Sequence, residues 1–392
     1  MKKNSSNQED VSHDHFAGFD WARDHHDVVI VDGRGKIVAD FRFDHSASGW
    51  KRWREKMAEY PKLAVAIETS QGAAVDQIFA SGITIFPVNP LSAKRYRERK
   101  CSSGNKTDRH DAWALADALR VDGHHWRSLN SVDPTVVELR ILCRDEVALI
   151  EERTALINQL QQCLHDYYPT ALEAFSDWTS PHAWAFVEKF PTSEKLAKSG
   201  KRNWEKWLHS RKLARPQTYE KRLACFAKAL DWKQDDAVVR AKSQLAMTRA
   251  RQLRALDKEL ESYREKIESV FASHGDQEIF ESLPGAGPKL APRLFSEIGS
   301  DREVYEHAEG LQCMAGTAPV GYQSGKFHKV RLRRGCNKNL RTAMFLFANQ
   351  SRAKSDWAAT YYQGLRDRGK SHTQSLRSLG QRWLKIIWKM WQ

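Results

Sequence analysis

The sequence predicts an α/β domain at the N-terminus followed by two largely helical segments, and three patterns carry that expectation. Residues 14–125 alternate short β-branched or aromatic runs with helical spacings. Two later stretches repeat apolar residues at the three-and-four spacing of coiled coils. The last 112 residues open on a Gly/Pro turn and carry most of the net positive charge.

The elements follow in order. FAGFDWA, HDVVIVDG and KIVADFRFD read as three strands separated by polar turns and the Gly33/Gly35 pair. SGWKRWREKMAEY has helical spacing, and LAVAIETS is a short apolar strand that ends in polar residues. AAVDQIFASG is helix-like, ITIFPVNP another strand, and KTDRHDAWALADALR a closing helix. Three successive strands and then βα units imply a mixed sheet with helices packed on it. No repeat of about 20–50 residues is evident.

The second segment is helical. Leu142, Leu149, Leu156 and Cys163 recur at heptad spacing, beside Cys143, Ile150, Ile157 and Leu164. Leu253, Leu256, Leu260, Tyr263, Ile267 and Val270 form a second seam. Between them, residues 170–235 hold Trp178, Trp184, Trp204, Trp207 and Trp232 among many Lys and Arg, broken into short helices by Pro181, Pro191 and Pro216. The expected arrangement is a long antiparallel hairpin with a helical insertion, serving dimerisation, nucleic-acid grip or plain scaffolding. The third segment opens with LPGAGPKLAPRL. Its Gly-x-Gly turn suits either a helix–hairpin–helix that offers backbone N–H groups to phosphate or an ordinary helix connection.

Composition narrows the function classes. The 392 residues are 41% hydrophobic and 29% charged, a globular balance for a chain long enough to hold several cores. Lys plus Arg total 63 against 49 Asp plus Glu, a net charge of +14 that points to a polyanionic partner. No apolar run approaches the length of a membrane span, and no signal peptide is expected. Cys101, Cys143, Cys163, Cys225, Cys313 and Cys336 are scattered without a CxxC pair, as in reduced cytosolic proteins. From residue 281 onward there are 19 Lys/Arg against 8 Asp/Glu, a net of +11. No acid occurs between Glu309 and Asp356, and Lys326, Lys329, Arg331, Arg333, Arg334, Lys338 and Arg341 fall in that gap. Such a one-signed run reads as a phosphate-contacting surface.

Four acids stand out by placement. Asp20 ends the first strand, Glu68 ends the fourth, and Asp108 and Asp111 share one face of a helix. Four converging carboxylates repel one another unless a hard cation neutralises them, and oxygen ligands suit Mg²⁺. Two such ions would clamp the attacking and leaving oxygens of a phosphoryl transfer. Any one of these acids alone is better explained as a solvated surface carboxylate, since Asp27, Asp32 and Asp117 also occur nearby, and it is their combined placement that stands out. His25, His26, His110, His124, His125 and His328 lack zinc-type spacing and are expected to be ordinary surface or helix residues.

FAGFDWA, VAIETSQG, VNP and NKTDRHDAWALADAL resemble the N-terminal DEDD domain of a group of bacterial insertion-sequence transposases, the RNA-guided bridge recombinases. LPGAGPKLA, AGTAPVGYQSGK and RGCNKNLR resemble their C-terminal transposase domain, in the same order. The likeness spans nearly the whole chain and is weakest over 170–240. It implies an RNase H-like (RuvC-like) mixed-sheet domain over 15–130, a coiled coil with a helical insertion over 131–275, and a mainly helical transposase domain over 276–392. Residues 1–14 have no counterpart and are expected to be a disordered tail.

Carried over residue by residue, the resemblance makes Asp20, Glu68, Asp108 and Asp111 the metal-binding tetrad for Mg²⁺ or Mn²⁺. It makes Ser324, in VGYQSGK, the nucleophile that forms a covalent phosphoserine link to DNA. The implied partners are double-stranded donor and target DNA, a structured noncoding RNA, and further copies of the chain, as a dimer assembling to a tetramer. The implied setting is the bacterial cytoplasm, at the nucleoid when active. FHKVRLRRG departs from the Ser/Gly-rich approach of the family, so the DNA-contact reading of its cations rests on charge alone. Two other readings stand beside this one. A hydrolytic RuvC-like structure-specific endonuclease would leave free ends and ignore Ser324. A nonenzymatic nucleic-acid scaffold would cleave nothing.

Overall fold

A computed structural model describes residues 13–70, 72–100, 107–129, 133–229, 235–325 and 327–392. The N-terminal tail up to residue 12, Trp232 and Lys326 lie outside the described residues. The chain divides after residue 131 into two compact units.

The first unit is a mixed α/β structure. Strands β1 (His15–Trp21), β2 (His25–Asp32), β3 (Ile37–Asp44), β4 (Leu63–Ile67) and β5 (Thr84–Pro87) form one sheet of order β3-β2-β1-β4-β5. The first three strands are antiparallel neighbours, and β4 and β5 run parallel to β1. Strand alternation sorts the side chains between the two faces. Ala17, Phe19, Val65 and Ile67 meet Trp50, Trp53, Val75 and Ile78 on one side, beneath α1 (Ala47–Met57) and α2 (Ala73–Phe79). Small residues occupy the other side, where Ala64 and Ala66 of β4 pack with Leu115 and Leu119 of α4 (Asp108–Asp122).

In the first unit, α3 (Pro90–Lys100) has no counterpart in the sequence reading. Its polar run KRYRERK gives no clear apolar stripe, yet its start is signalled locally. The Asn89 carboxamide oxygen accepts from Leu91 N at 2.9 Å, and Pro90 suits a first helical position.

The second unit is built on two long helices, α5 (Pro134–Tyr167) and α10 (Asp236–Ala272). Lys242 pairs with Asp166, Asp257 with Arg153 and Arg264 with Glu146, so the two run antiparallel. Of the two heptad files read from α5, Cys143, Ile157 and Leu164 of one and Cys163 of the other are buried, whereas Ile150, Leu142, Leu149 and Leu156 are half-buried. Glu146 also sits in the seam, buried and bonded to Arg264 and Arg293.

Between the long helices, α6 (Pro169–Ala174), α7 (Pro181–Lys189), α8 (Ser193–Ser210) and α9 (Pro216–Lys228) enclose Trp178, Trp184, Trp204 and Trp207 in a core shared with the far half of the hairpin. Pro181 and Pro216 begin helices, where the missing N–H costs nothing.

A second core joins the near half of the hairpin to α11 (Gln277–Glu281), α12 (Gly287–Ile298), α13 (Ala308–Met314), α14 (Lys338–Ser351), α15 (Asp356–Asp367) and α16 (His372–Trp391). The Gly-x-Gly turn links α11 to α12, and Gly285, at φ +89°, lies against the backbone of Gln350. Arg144 grips buried Glu297 with two bonds of 2.7 and 2.8 Å, and Asn337, the cap of α14, adds a third of 2.7 Å. No helix among the described residues is long and apolar enough to cross a membrane.

Candidate active site

Parity along the strands brings the acids of the first unit together. Gly18 and Asp20 of β1 face α4, and Asp27 of β2 lies directly opposite Asp20 in the ladder. In β4 the sequence Ala64, Ala66, Glu68 continues onto that same side as the strand ends. The helix supplies the rest. Thr107 caps α4 by accepting from His110 N at 3.2 Å, which leaves Asp108 and Asp111 in the first turn.

The helix can lie so close because Gly18 has no side chain. A Cβ there would fall 1.8 Å from the Ala112 carbonyl oxygen and 2.6 Å from Ala116 N. Ala112 and Ala116 in turn pack on Val29 and Val31. The Gly-Phe-Asp of β1 and the alanine-rich α4 thus set the spacing between Asp20 and the helical pair.

The electrostatic consequence falls on Asp20, whose pKa is pushed up to about 7. Burial is the largest cause, followed by repulsion from Asp111, Asp108, Glu68 and Asp27. Two arginines offset part of this charge. Arg97 of α3 bonds buried Asp111 at 2.8 Å. Arg42 of β3 spans Asp27 at 2.9 Å and Asp108 at 3.1 Å. His25 Nε2 lies 3.9 Å from Asp27 and 3.8 Å from Asp108, so His25, Asp27 and Asp108 offer three ligand atoms within 4.8 Å of one another. A set dominated by oxygen donors with surplus negative charge fits a hard divalent cation.

Asp27, His25, Arg42 and Arg97 were not expected at this site. His25 and Asp27, two apart in a strand, necessarily share a face. That local signal was present, but the register that sets them against Asp20 is not written in any one segment.

Ser324 lies in the second unit. It is the last residue of β6 (Val320–Ser324), paired with Phe327 at the start of β7 (Phe327–Arg331). Gly325, at φ +53°, makes the turn a position other residues seldom tolerate. Both strands are almost wholly exposed, including Tyr322, Phe327 and Val330.

The cations around this hairpin differ in disposition. Lys329, Arg331, Arg334 and Lys338 are exposed, and the Arg331 guanidinium lies 4.5 Å over the Tyr322 ring. Arg333 is half-buried, and Arg341 turns inward to donate to the Arg333 carbonyl at 2.5 Å and to the Cys336 thiol.

Comparison with known proteins is consistent along the chain. The IS110 DEDD transposase family model matches residues 17–169, and the model for the transposase IS116/IS110/IS902 family matches residues 277–363. The IS117 mini-circle protein of Streptomyces coelicolor is 34% identical over 94% of this chain and 92% of its own length. The IS900 42 kDa protein of Mycobacterium paratuberculosis is 30% identical, over 96% of this chain and 95% of its own. The transposase for insertion sequence element IS1111A of Coxiella burnetii is 22% identical over 83% of this chain and 73% of its own length.

Proposed function

The chain belongs to the IS110/IS116 family of insertion-sequence transposases, DNA-recombining enzymes, and we propose that it cuts and rejoins DNA through a covalent phosphoserine at Ser324, with Asp20, Glu68, Asp108 and Asp111 holding Mg²⁺ or Mn²⁺. The observation that carries the metal part of this reading is the close packing of α4 on β1 through Gly18, which crowds Asp108 and Asp111 against Asp20 and pushes its pKa up. The sheet order β3-β2-β1-β4-β5, with acids at the ends of β1 and β4, supports an RNase H-like identity for the first unit.

When bound, the divalent cation supplies Lewis-acid polarisation of phosphoryl oxygens and acidifies a nearby hydroxyl. The protein's own part is positional. Gly18 and the alanines of α4 hold Asp108 and Asp111 against Asp20, and Arg97 fixes the Asp111 carboxylate. Ser324, at a hairpin tip beside Gly325, can approach a phosphate closely. Its hydroxyl oxygen forms the new bond to phosphorus as the bond from phosphorus to one DNA oxygen breaks, and the serine proton passes by way of the carboxylate set to that leaving oxygen, which departs as a DNA hydroxyl. Rejoining reverses the step with a different DNA hydroxyl, so the phosphodiester energy is conserved. The serine and the carboxylates must act on one phosphate, whichever copies of the chain supply them.

Lys326, Lys329, Arg331, Arg333, Arg334 and Lys338 are assigned to the DNA backbone, and Arg341 to holding the loop that presents them. Donor and target are double-stranded DNA, selected by base pairing with a structured noncoding RNA, in a dimer that assembles to a tetramer at the bacterial nucleoid. The second reading, a hydrolytic endonuclease, draws on the fact that all four tetrad acids lie within the first unit.

Metal binding is the first test. Mn²⁺ titrated into the full chain and followed by electron paramagnetic resonance should bind to wild type and lose most of its affinity in Asp20→Asn. Equal affinity in both would overturn the tetrad.

A further inference from the structure

A cavity of about 640 Å³, within the usual range for small-ligand sites, opens beside the carboxyl end of β5, between α3 and the segment that follows α4. Its walls combine two aromatic rings with three guanidinium groups. Tyr96 and Trp126 stand 5.8 Å apart, ring centre to ring centre, and both are half-buried. They are braced from behind, because Trp126 packs on the core of Ala64, Ala66, Val88 and Leu115. The Tyr96 hydroxyl also interacts with Asp122 and with the Trp126 side chain. Arg95 and Arg99, one helical turn apart on α3, and Arg127 form the exposed rim.

We infer that this cavity is a nucleotide site, in which one unpaired base lies against Trp126 and Tyr96 while Arg95, Arg99 and Arg127 hold the flanking phosphates. Rigid aromatic faces accept any base by stacking, and guanidinium groups pair with phosphate, so the combination suits single-stranded nucleic acid. An acidic peptide would use the arginines but leave the aromatic walls idle. An apolar metabolite would leave the arginines idle. The site is separate from the carboxylate cluster, yet α3 serves both, since Arg97 reaches Asp111 from the same helix. A strand seated here would therefore be held next to the helix that shapes the acid site.

The test uses the full chain in EDTA, where no cutting intervenes and the outcome is independent of the tetrad and of Ser324. Short single-stranded DNA and RNA carrying 5-iodouracil are photocrosslinked, the adducts mapped, and affinities measured by fluorescence anisotropy. Crosslinks to Trp126 or Tyr96 are expected, with the better-bound of the two strands naming the source of the nucleotide. The Arg95→Ala/Arg99→Ala double variant should weaken that strand about tenfold, and Trp126→Leu should weaken it by a similar factor while Trp126→Phe retains binding. The double variant alters only exposed side chains, so it remains informative if Trp126→Leu misfolds. Crosslinks confined to other surfaces, or an unchanged affinity in the double variant, would overturn the site.

Discussion

The carboxylate cluster and the Ser324 hairpin solve opposite structural problems. The acids are fixed by the core: Gly18 admits α4, the β1/β2 register sets Asp27 beside Asp20, and Arg97 clamps Asp111. The serine sits on a two-stranded ribbon whose residues are nearly all exposed and whose apolar side chains, Tyr322, Phe327 and Val330, face solvent. One region is preorganised at an electrostatic cost, and the other is presented for use. The contrast teaches that substitutions in the first should alter stability and chemistry together, whereas substitutions in the second should alter chemistry alone.

The largest effects separate the two regions most sharply. Asp111→Asn and Ser324→Ala should each abolish transposition, by roughly a thousandfold or more in a mating-out assay. Only the first should also shift the thermal midpoint, because Asp111 is a buried carboxylate held in an ion pair, whereas Ser324 is exposed. A changed midpoint in Ser324→Ala would break the comparison.

Gly18→Val should be nearly as damaging, since its side chain meets the Ala112 carbonyl. A loss of about 1–3 kcal/mol in urea unfolding is expected, together with weakened Mn²⁺ binding. A fully stable variant that still binds Mn²⁺ would show that the close approach of α4 is not what sets the site.

The pH dependence follows from Asp20. Its pKa is raised from the ordinary carboxylate value of 3.8 to about 7, so folding is favoured by its protonated form. That contribution is complete below about pH 4 and is lost as pH rises through 7. A bound cation reverses the balance, because it needs the ionised carboxylate. Mg²⁺ affinity should therefore strengthen between pH 6 and 8, and Asp20→Asn should raise the metal-free thermal midpoint at pH 8. Isothermal titration in two buffers of different ionisation enthalpy checks the accompanying proton release, and Mg²⁺ binding independent of pH would contradict it.

The smallest expected change concerns Arg42, which occupies the Asp27 and Asp108 oxygens. Arg42→Ala should tighten Mn²⁺ binding by a few-fold, by removing a competing cation. Weaker binding would make Arg42 a positioning residue instead.

Much of the first unit was legible in the sequence, because strand runs such as LAVAI and caps such as Thr107 act locally. Asp20, Glu68, Asp108 and Asp111 were picked out by their places at the ends of elements, a property that local pattern preserves. Asp27 and His25 read as ordinary surface residues and Arg42 gives no signal, because their partners are fixed by cross-strand register, which no single segment encodes. Helix α3 escaped because its polar run lacks an apolar stripe. In the long hairpin, the heptad spacing is readable but not which positions of the two adjacent files are buried. Tertiary packing against α12 and the insertion decides that.

The most direct measurement is a search for a covalent protein–DNA adduct in cells carrying the whole element, comparing wild type, Ser324→Ala and Asp20→Asn. An adduct in wild type alone is expected, since the serine supplies the bond and the carboxylates the means to form it. Cleaved DNA with free ends in the Ser324→Ala protein would contradict serine chemistry and make the first unit a hydrolytic nuclease.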